Sequence, residues 1–337
     1  MMRVLFYFIF LLVFSFNLFS EDVIVIKAVG DTMLGSITPS PILPPRGGEE
    51  FVESISDYLK GADILICNLE GSFIKEGMKS SKCRDKIGRR SCFAFGMPTY
   101  LTNAFKRLGF NLVSLNNNHV MDYGAQGYEY TQKLLKELGM NYATRDSYTA
   151  IEVRNKRIAL VSFGFNGGKY TIIDVEGAKS VVSDLKKRYD LVIVSFHGGA
   201  EGRNALNVKN EVEYFLGENR GNVVKFARGV VDAGADLVIG HGPHVLRAVE
   251  LYKGKIIAYS LGNFLTYGNI NIQGYSGISG ILEVSLKGDG ELVKAKLIPV
   301  VQISRGIPVY DEKKRAIKLI NELGKSDFPQ TYYKFEE

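Results

Sequence analysis

A chain of 337 residues is long enough to bury one large core, and no low-complexity or Pro/Ser-rich linker divides it. Its net charge of +6 is modest, with Lys and Arg spread along the chain in place of one basic block, which argues against nucleic acid as a partner. The mild positive excess favours an acidic substrate, such as a phosphate ester or an acidic polymer.

The N-terminal stretch differs in kind from the rest. Arg3 precedes an apolar run, 4–14, and then SFNLFS leads to Glu21. Residues 1–20 read as a secretory signal peptide, because the run is shorter than the roughly 20 residues that cross a bilayer and Ser20 suits the last position before cleavage. Leu18 is less typical two positions earlier, and the run extends to Phe19 if Ser15 and Asn17 are tolerated, so an uncleaved anchor is the rival reading. Either way residues 21–337 form a single domain expected outside the cytoplasm, periplasmic or extracellular, with membrane association only if the leader is uncut.

Along that domain, apolar β-branched runs predict strands at 23–29, 63–67, 111–115, 157–163, 191–196, 236–240 and 255–260. Helical patterns lie between most of them. One over 99–108 follows Pro98 and stops at Gly109, and another over 128–138 stops at Gly139, as Pro near a helix start and Gly just past its end require. Such alternation implies βαβ units with buried, largely parallel strands. After Gly277 the pattern changes to ISGILEVSL and ELVKAKLIPV joined by KGDG, an antiparallel hairpin. A final helix is expected over 311–323. Export makes oxidised thiols permissible, so Cys83 and Cys92 can close the basic loop between them, although three unpaired thiols are the alternative. Cys67 falls within a predicted buried strand.

A local grammar recurs: a helix end, a glycine, a short strand and a polar cluster, as in YLKGADILICNLE, FKRLGFNLVSLNNNH and VDAGADLVIGHGPH. In open α/β sheets ligands bind beyond the carboxyl ends of strands, so such clusters can converge although far apart in sequence. The four histidines of the chain, His119, His197, His241 and His244, all follow predicted strands. A lone histidine is more often structural than a ligand, but four in strand-end clusters favour a shared site. Asp31, Glu70 and Asn118 complete a donor set of carboxylate, amide and imidazole that suits Zn²⁺, Mn²⁺ or Fe²⁺ better than Ca²⁺, as one or two ions. Glu201, Arg203, Glu218, Arg220 and Arg247 are either solvated charges or substrate contacts, with Arg247 placed to clamp a carboxylate or phosphate. Asn263, in YSLGNF, is either a turn residue or a substrate contact.

The succession VGDTMLG, CNLEGSF, SLNNNHVMDYGAQG, VSFHGGAE and GADLVIGHGPHVLRAVELYKGKIIAYSLGNF, from about Val23 to Phe264, resembles the motifs of the CapA family of poly-γ-glutamate capsule-synthesis proteins, relatives of calcineurin-like metallophosphoesterases. That resemblance implies a metallophosphatase-like α/β fold, a four-layer α-β-β-α sandwich with antiparallel strands towards the C-terminus. It also implies Asp31 as a ligand of one metal, Glu70 as a ligand in a bridging place, Asn118, His197 and His241 for a second metal, and His244 returning to the first. His119 becomes the acid that protonates a leaving group, oriented by Asp122. Met33 departs from the superfamily's usual histidine, and Gly198 and Gly242 stand where CapA-like proteins often carry Trp and His. The activity implied is metal-assisted attack of water on a phosphoryl or amide centre during poly-γ-glutamate synthesis, export or processing. Two alternatives remain: a non-catalytic metal- or polymer-binding component of an envelope export complex, and a general phosphodiesterase or phosphatase.

Overall fold

The computed structural model describes residues 23–84 and 92–336. The expected leader at 1–20 and most of the basic loop between the paired cysteines lie outside those residues. Among the described residues no helix is long and apolar enough to cross a membrane.

Two sheets carry the core. The first has eight strands, running Ile307–Tyr310, Leu292–Ile303, Ile278–Leu286, Ile24–Met33, Ile64–Leu69, Leu112–Leu115 and Asn141–Thr144 across the sheet, with Asn263–Thr266 added beside Ile24–Met33. The second has six: Val249–Tyr252, Lys255–Ala258, Leu237–His241, Leu191–His197, Lys156–Gly164 and Thr149–Val153. Their interiors are parallel, as the continuous apolar runs required. The strands after Gly277 are antiparallel, and the predicted hairpin forms between Ile278–Leu286 and Leu292–Ile303.

Side-chain alternation explains the layering. Along Ile64–Leu69, Ile64 and Ile66 join the core that includes the second sheet's Leu160, Ile193 and Val238. Leu65, Cys67 and Leu69 face the other way, into a cluster with Phe51, Ile55, Phe105 and Leu135. Those four lie on helices Glu49–Leu59, Thr102–Arg107 and Gly124–Glu137. The second sheet is covered by Val175–Lys186 and Val223–Asp232, which start where Asp174 and Asn222 accept the backbone N–H groups of Gly177 and Lys225. The result is helix, sheet, sheet, helix.

Several boundaries differ from the sequence reading for local reasons. The helix expected over 99–108 begins as a 3₁₀ turn, Thr99–Leu101, before the α-helix Thr102–Arg107. The last helix starts at Arg315, because Lys314 takes a left-handed conformation and its N–H bonds the Asp311 carbonyl. The first strand runs on to Met33, since its end is paired on both sides. After Lys255–Ala258 the chain leaves the second sheet and enters the first as Asn263–Thr266. Gly262, at φ 65°, makes the turn, and a side chain on Gly30 would meet the Gly262 carbonyl at 2.0 Å, so the two segments touch through backbone alone.

Candidate metal centre

The strand register brings the polar clusters together. Asp31 pairs with Asn68 on one side and Asn263 on the other, and Glu70 follows directly after strand Ile64–Leu69. On the second sheet, His197 and His241 stand opposite each other on adjacent parallel strands. His244 lies beyond them at φ 57°, a conformation unusual for a residue other than glycine.

Asp31 and Glu70 are fully buried. The Asn68 side-chain amide donates to both, at 2.9 Å to Asp31 Oδ1 and 2.5 Å to Glu70 Oε2. His244 Nδ1 lies 2.9 Å from Asp31 Oδ2, and His241 Nδ1 3.5 Å from Asp31 Oδ1. His197 Nε2 lies 3.3 Å from Glu70 Oε2. The 3.3 and 3.5 Å contacts are ion-pair proximities without hydrogen-bond geometry, for both ring nitrogens of His197 and of His241 are buried without a hydrogen-bond partner, as are Glu70 Oε1 and Asn118 Oδ1. Buried polar atoms are almost always satisfied. The bare lone pairs of Glu70 Oε1, Asn118 Oδ1 and one nitrogen on each of His197 and His241 fit a cation, and Asp31, Glu70 and His197 offer ligand atoms within 4.8 Å of one another.

The electrostatics of the protein alone point the same way. Burial is the largest influence on Asp31 and would raise its pKa, but the imidazoles of His241 and His244 beside it hold it well below the usual carboxylate range. Glu70 is likewise held down against its burial, mainly by His197. Burial lowers His244, yet its hydrogen bond to Asp31 and the charges of Asp31, Glu201 and Glu70 raise it to about 10. Both carboxylates therefore stay ionised, ready for a metal.

His119 occupies the edge of this cluster. Its Nδ1 lies 2.7 Å from Asp122 Oδ2, and Asn117 Oδ1 accepts its backbone N–H at 3.0 Å. With Nδ1 donating to Asp122, Nε2 is left for the open side. His119, Asn118, His244, Glu201, Arg220 and Lys82 all line one cavity of about 630 Å³.

The three expected substrate contacts divide. Glu201 lines the cavity, paired at 2.8 Å with Arg220, whose guanidinium lies over the Phe165 ring at 4.0 Å. Arg247 does not line the cavity: it is fully buried, with its guanidinium shared among Glu213 and the carbonyls of Ala200 and Ala205. Asn263 is also buried, its amide donating to the carbonyls of His244, Asn271 and Ser276 while its Oδ1 lies 3.1 Å from His244 Nδ1. It orders the His244 loop. Met33 packs in the apolar cluster beneath the outer helices. A side chain at Gly198 would collide with Ile172 and the Arg220 carbonyl, and Gly242 sits at φ 108°, so larger residues at either place need a different loop path.

Asn68 and Asn117 carry functions that sequence reasoning missed. Asn117 donates to Asn68 Oδ1 and to the Leu69 carbonyl, so the two amides link the His119 loop to the carboxylates. Both lie inside the motifs CNLEGSF and SLNNNH. Their signal was an amide beside each proposed ligand.

The fold and site define a two-sheet α/β sandwich with a candidate metal centre, where carboxylates and imidazoles converge at the strand ends. Residues 25–267 match the family described as bacterial capsule synthesis protein PGA_cap, and the chain belongs to that family. It is 31% identical over 259 residues to the capsule biosynthesis protein CapA of Bacillus anthracis, covering 70% of this chain and 58% of that protein. It is 29% identical over 265 residues to the PGA biosynthesis protein CapA of Bacillus subtilis (strain 168), covering 73% and 64%. The chain thus matches less than two thirds of the length of either relative. A crystal structure of a hypothetical protein from Thermus thermophilus shares the fold at TM-score 0.50 and 15% identity, over 82% of this chain and 98% of that one.

Proposed function

We propose that the chain is an exported, metal-dependent hydrolase-type protein that acts on an acidic polymer of the poly-γ-glutamate kind, in its synthesis, export or processing at the cell envelope. The observation that carries this reading is the set of partnerless buried donors on His197, His241, Glu70 and Asn118 around ionised Asp31 and Glu70. The names of the Bacillus relatives support the polymer. Family, fold and site together support the hydrolytic class, although a fold by itself assigns no reaction.

Asp31, Glu70, His197 and His241 would hold the metal, with Asn118 and His244 at its margin. Zn²⁺, Mn²⁺ or Fe²⁺ supplies a Lewis acid that lowers the pKa of water and offsets developing negative charge. The chain's own residues do the rest. Asn68 fixes the two carboxylates against each other, and Asn117 ties that pair to the His119 loop. Asp122 holds His119 Nδ1 so that Nε2 can deliver a proton to a leaving group in the cavity. Glu201 and Arg220 form the facing wall and set which charges a substrate meets there.

Metal analysis of the purified protein, followed by hydrolysis assays on γ-glutamyl and phosphodiester substrates, tests the reading. Stoichiometric transition metal with turnover of a γ-glutamyl substrate is expected. Turnover of phosphodiesters alone would leave the metal centre and remove the polymer. A specific observation favours a second reading, a non-catalytic metal- or polymer-binding component of an export complex: Met33 is committed to the apolar core where the superfamily usually offers another histidine. Metal without turnover of either substrate would select it.

A further inference from the structure

Two segments of chain grip the His119–Asp122 pair from opposite sides, and a disulfide joins them. On one side, the backbone N–H groups of Ser81 and Lys82 donate to the Asp122 carbonyl at 3.0 and 3.2 Å, and Ser80 Oγ does so at 2.9 Å. That anchorage places Lys82 Nζ 3.1 Å from Asp122 Oδ1. On the other side, the Phe95 N–H donates to Asp122 Oδ2 at 2.9 Å, and the Phe95 ring stacks on His119 with centroids 4.0 Å apart. Cys83 and Cys92 form the bridge between the two segments, with Cα atoms 5.9 Å apart.

Each oxygen of Asp122 therefore has a defined task. Oδ1 meets Lys82, while Oδ2 accepts from His119 and from Phe95. Lys82 Nζ also lies 3.2 Å from His119 Nδ1, but that nitrogen carries at most one hydrogen and Asp122, at 2.7 Å, takes it. The ammonium is thus a neighbour held by the shared carboxylate and not a second partner of the ring. The Lys82 side chain is 39% exposed, and an ion pair so open to water holds little by itself. A covalent tether therefore adds to the hydrogen bonds of Ser80, Ser81 and Lys82 in keeping the Lys82 segment against the loop.

We propose that Lys82 is a positioning residue for His119, and that the Cys83–Cys92 bridge, by tying the Lys82 segment to the Phe95 segment, sets the orientation of the His119 ring in the cavity. The inference deepens the functional reading and rests on it for the consequence in turnover, whereas the placement of the ring can be measured separately. Reduction by a dithiol proceeds by thiolate attack on one bridge sulfur, which releases the other cysteine and leaves a mixed disulfide, and the second thiol of the reductant then displaces the attacked cysteine. Two electrons and two protons pass to Cys83 and Cys92, and the reductant leaves as its cyclic disulfide.

The chain has only four histidines, so ring ¹⁵N signals of the full chain labelled at histidine can be told apart, with His119→Ala assigning the one of interest. Reduction by dithiothreitol is expected to shift or broaden the His119 signals while those of His197 and His241 stay in place. Lys82→Met with the bridge intact should move the His119 Nδ1 signal, and Lys82→Arg should restore it. Turnover should fall roughly 10- to 100-fold in kcat, with KM and metal content little changed, in both the reduced protein and Lys82→Met. Should reduction unfold the whole chain, the Lys82→Met and Lys82→Arg pair decides. Unchanged His119 signals in Lys82→Met would overturn the proposal. A wild-type protein without turnover would defeat the functional reading, yet the ring signals would still decide the placement.

Discussion

Truncating Arg247 separates a structural role from substrate recognition. Its guanidinium is wholly buried and makes contacts of 2.7 and 2.9 Å with Glu213, 2.6 Å with the Ala205 carbonyl and 3.2 Å with the Ala200 carbonyl. Arg247→Ala leaves the Glu213 carboxylate, itself mostly buried, without its counter-charge, and it strips two carbonyls of their donor. Breaking a buried pair from one side costs about 3–5 kcal/mol. A domain of this length loses roughly 1.5 °C in Tm per kcal/mol, so the melting point should fall by about 5–8 °C. Glu213 also accepts the N–H of Ala200 and, through its backbone, pairs with Arg220 and Gly221, so the 199–221 loop should loosen with it. Thermal melts of Arg247→Ala, Glu213→Leu and the Arg247→Met/Glu213→Leu double variant form the assay. The double variant should recover more than half of the loss, because it leaves no lone buried charge. An Arg247→Ala protein with wild-type Tm and a raised KM would refute the structural assignment and return Arg247 to the substrate.

Other outcomes test the site and its supports. His119→Ala should keep metal content while lowering turnover by roughly 10² to 10⁴, the usual worth of a positioned general acid; full activity would remove His119 from that role. His241→Ala should weaken metal binding, read by competition with a chelator, because a ligand nitrogen is lost. Replacing Cys83 and Cys92 by Ser should cost about 2–3 kcal/mol in denaturant unfolding through release of the unfolded chain; a smaller effect would show that the bridge serves geometry more than stability. Burial pushes the Asp311 carboxyl up, but hydrogen bonds and charge from Arg315 hold it below its ordinary value. Its contribution is therefore complete above the unfolded value of about 3.9 and disappears as pH falls through the lower folded value. The Tm gap between wild type and Asp311→Asn should close on acidification, and a gap that widened would reverse the sign of the argument.

The strands and the strand-end clusters are legible because both depend on local pattern. The apolar run of Leu191–His197 and the glycine before Leu237–His241 mark buried parallel strands, and the order of motifs places Asp31, Glu70, His197 and His241 on one rim. The role of Arg247 is not legible. Nothing near it in sequence marks burial, and its partner Glu213 lies 34 positions away on a loop without a predicted element. Asn263 is opaque for a related reason: YSLGNF reads as a strand and turn, whereas the chain crosses there from one sheet to the other and lands beside Asp31. Helix Glu49–Leu59 begins after Gly48 with no side-chain cap, so its start carries no polar signal.

The candidate ligands are divided between the two layers. Asp31 belongs to the first sheet and Glu70 directly follows its strand Ile64–Leu69, while His197 and His241 belong to the second. An ion held by all four would act as a rivet through the sandwich, adding to the Ala258–Asn263 crossing and to polar links such as His244–Asp31 and Asn116–Ser162 that already join the layers. Loading the centre should therefore slow amide exchange at the facing strand ends of both sheets together, with little effect at the outer hairpin Ile278–Leu286 and Leu292–Ile303. A metal centre built this way would also report on the integrity of the fold, since sheets that part by even a small distance could no longer share one ion.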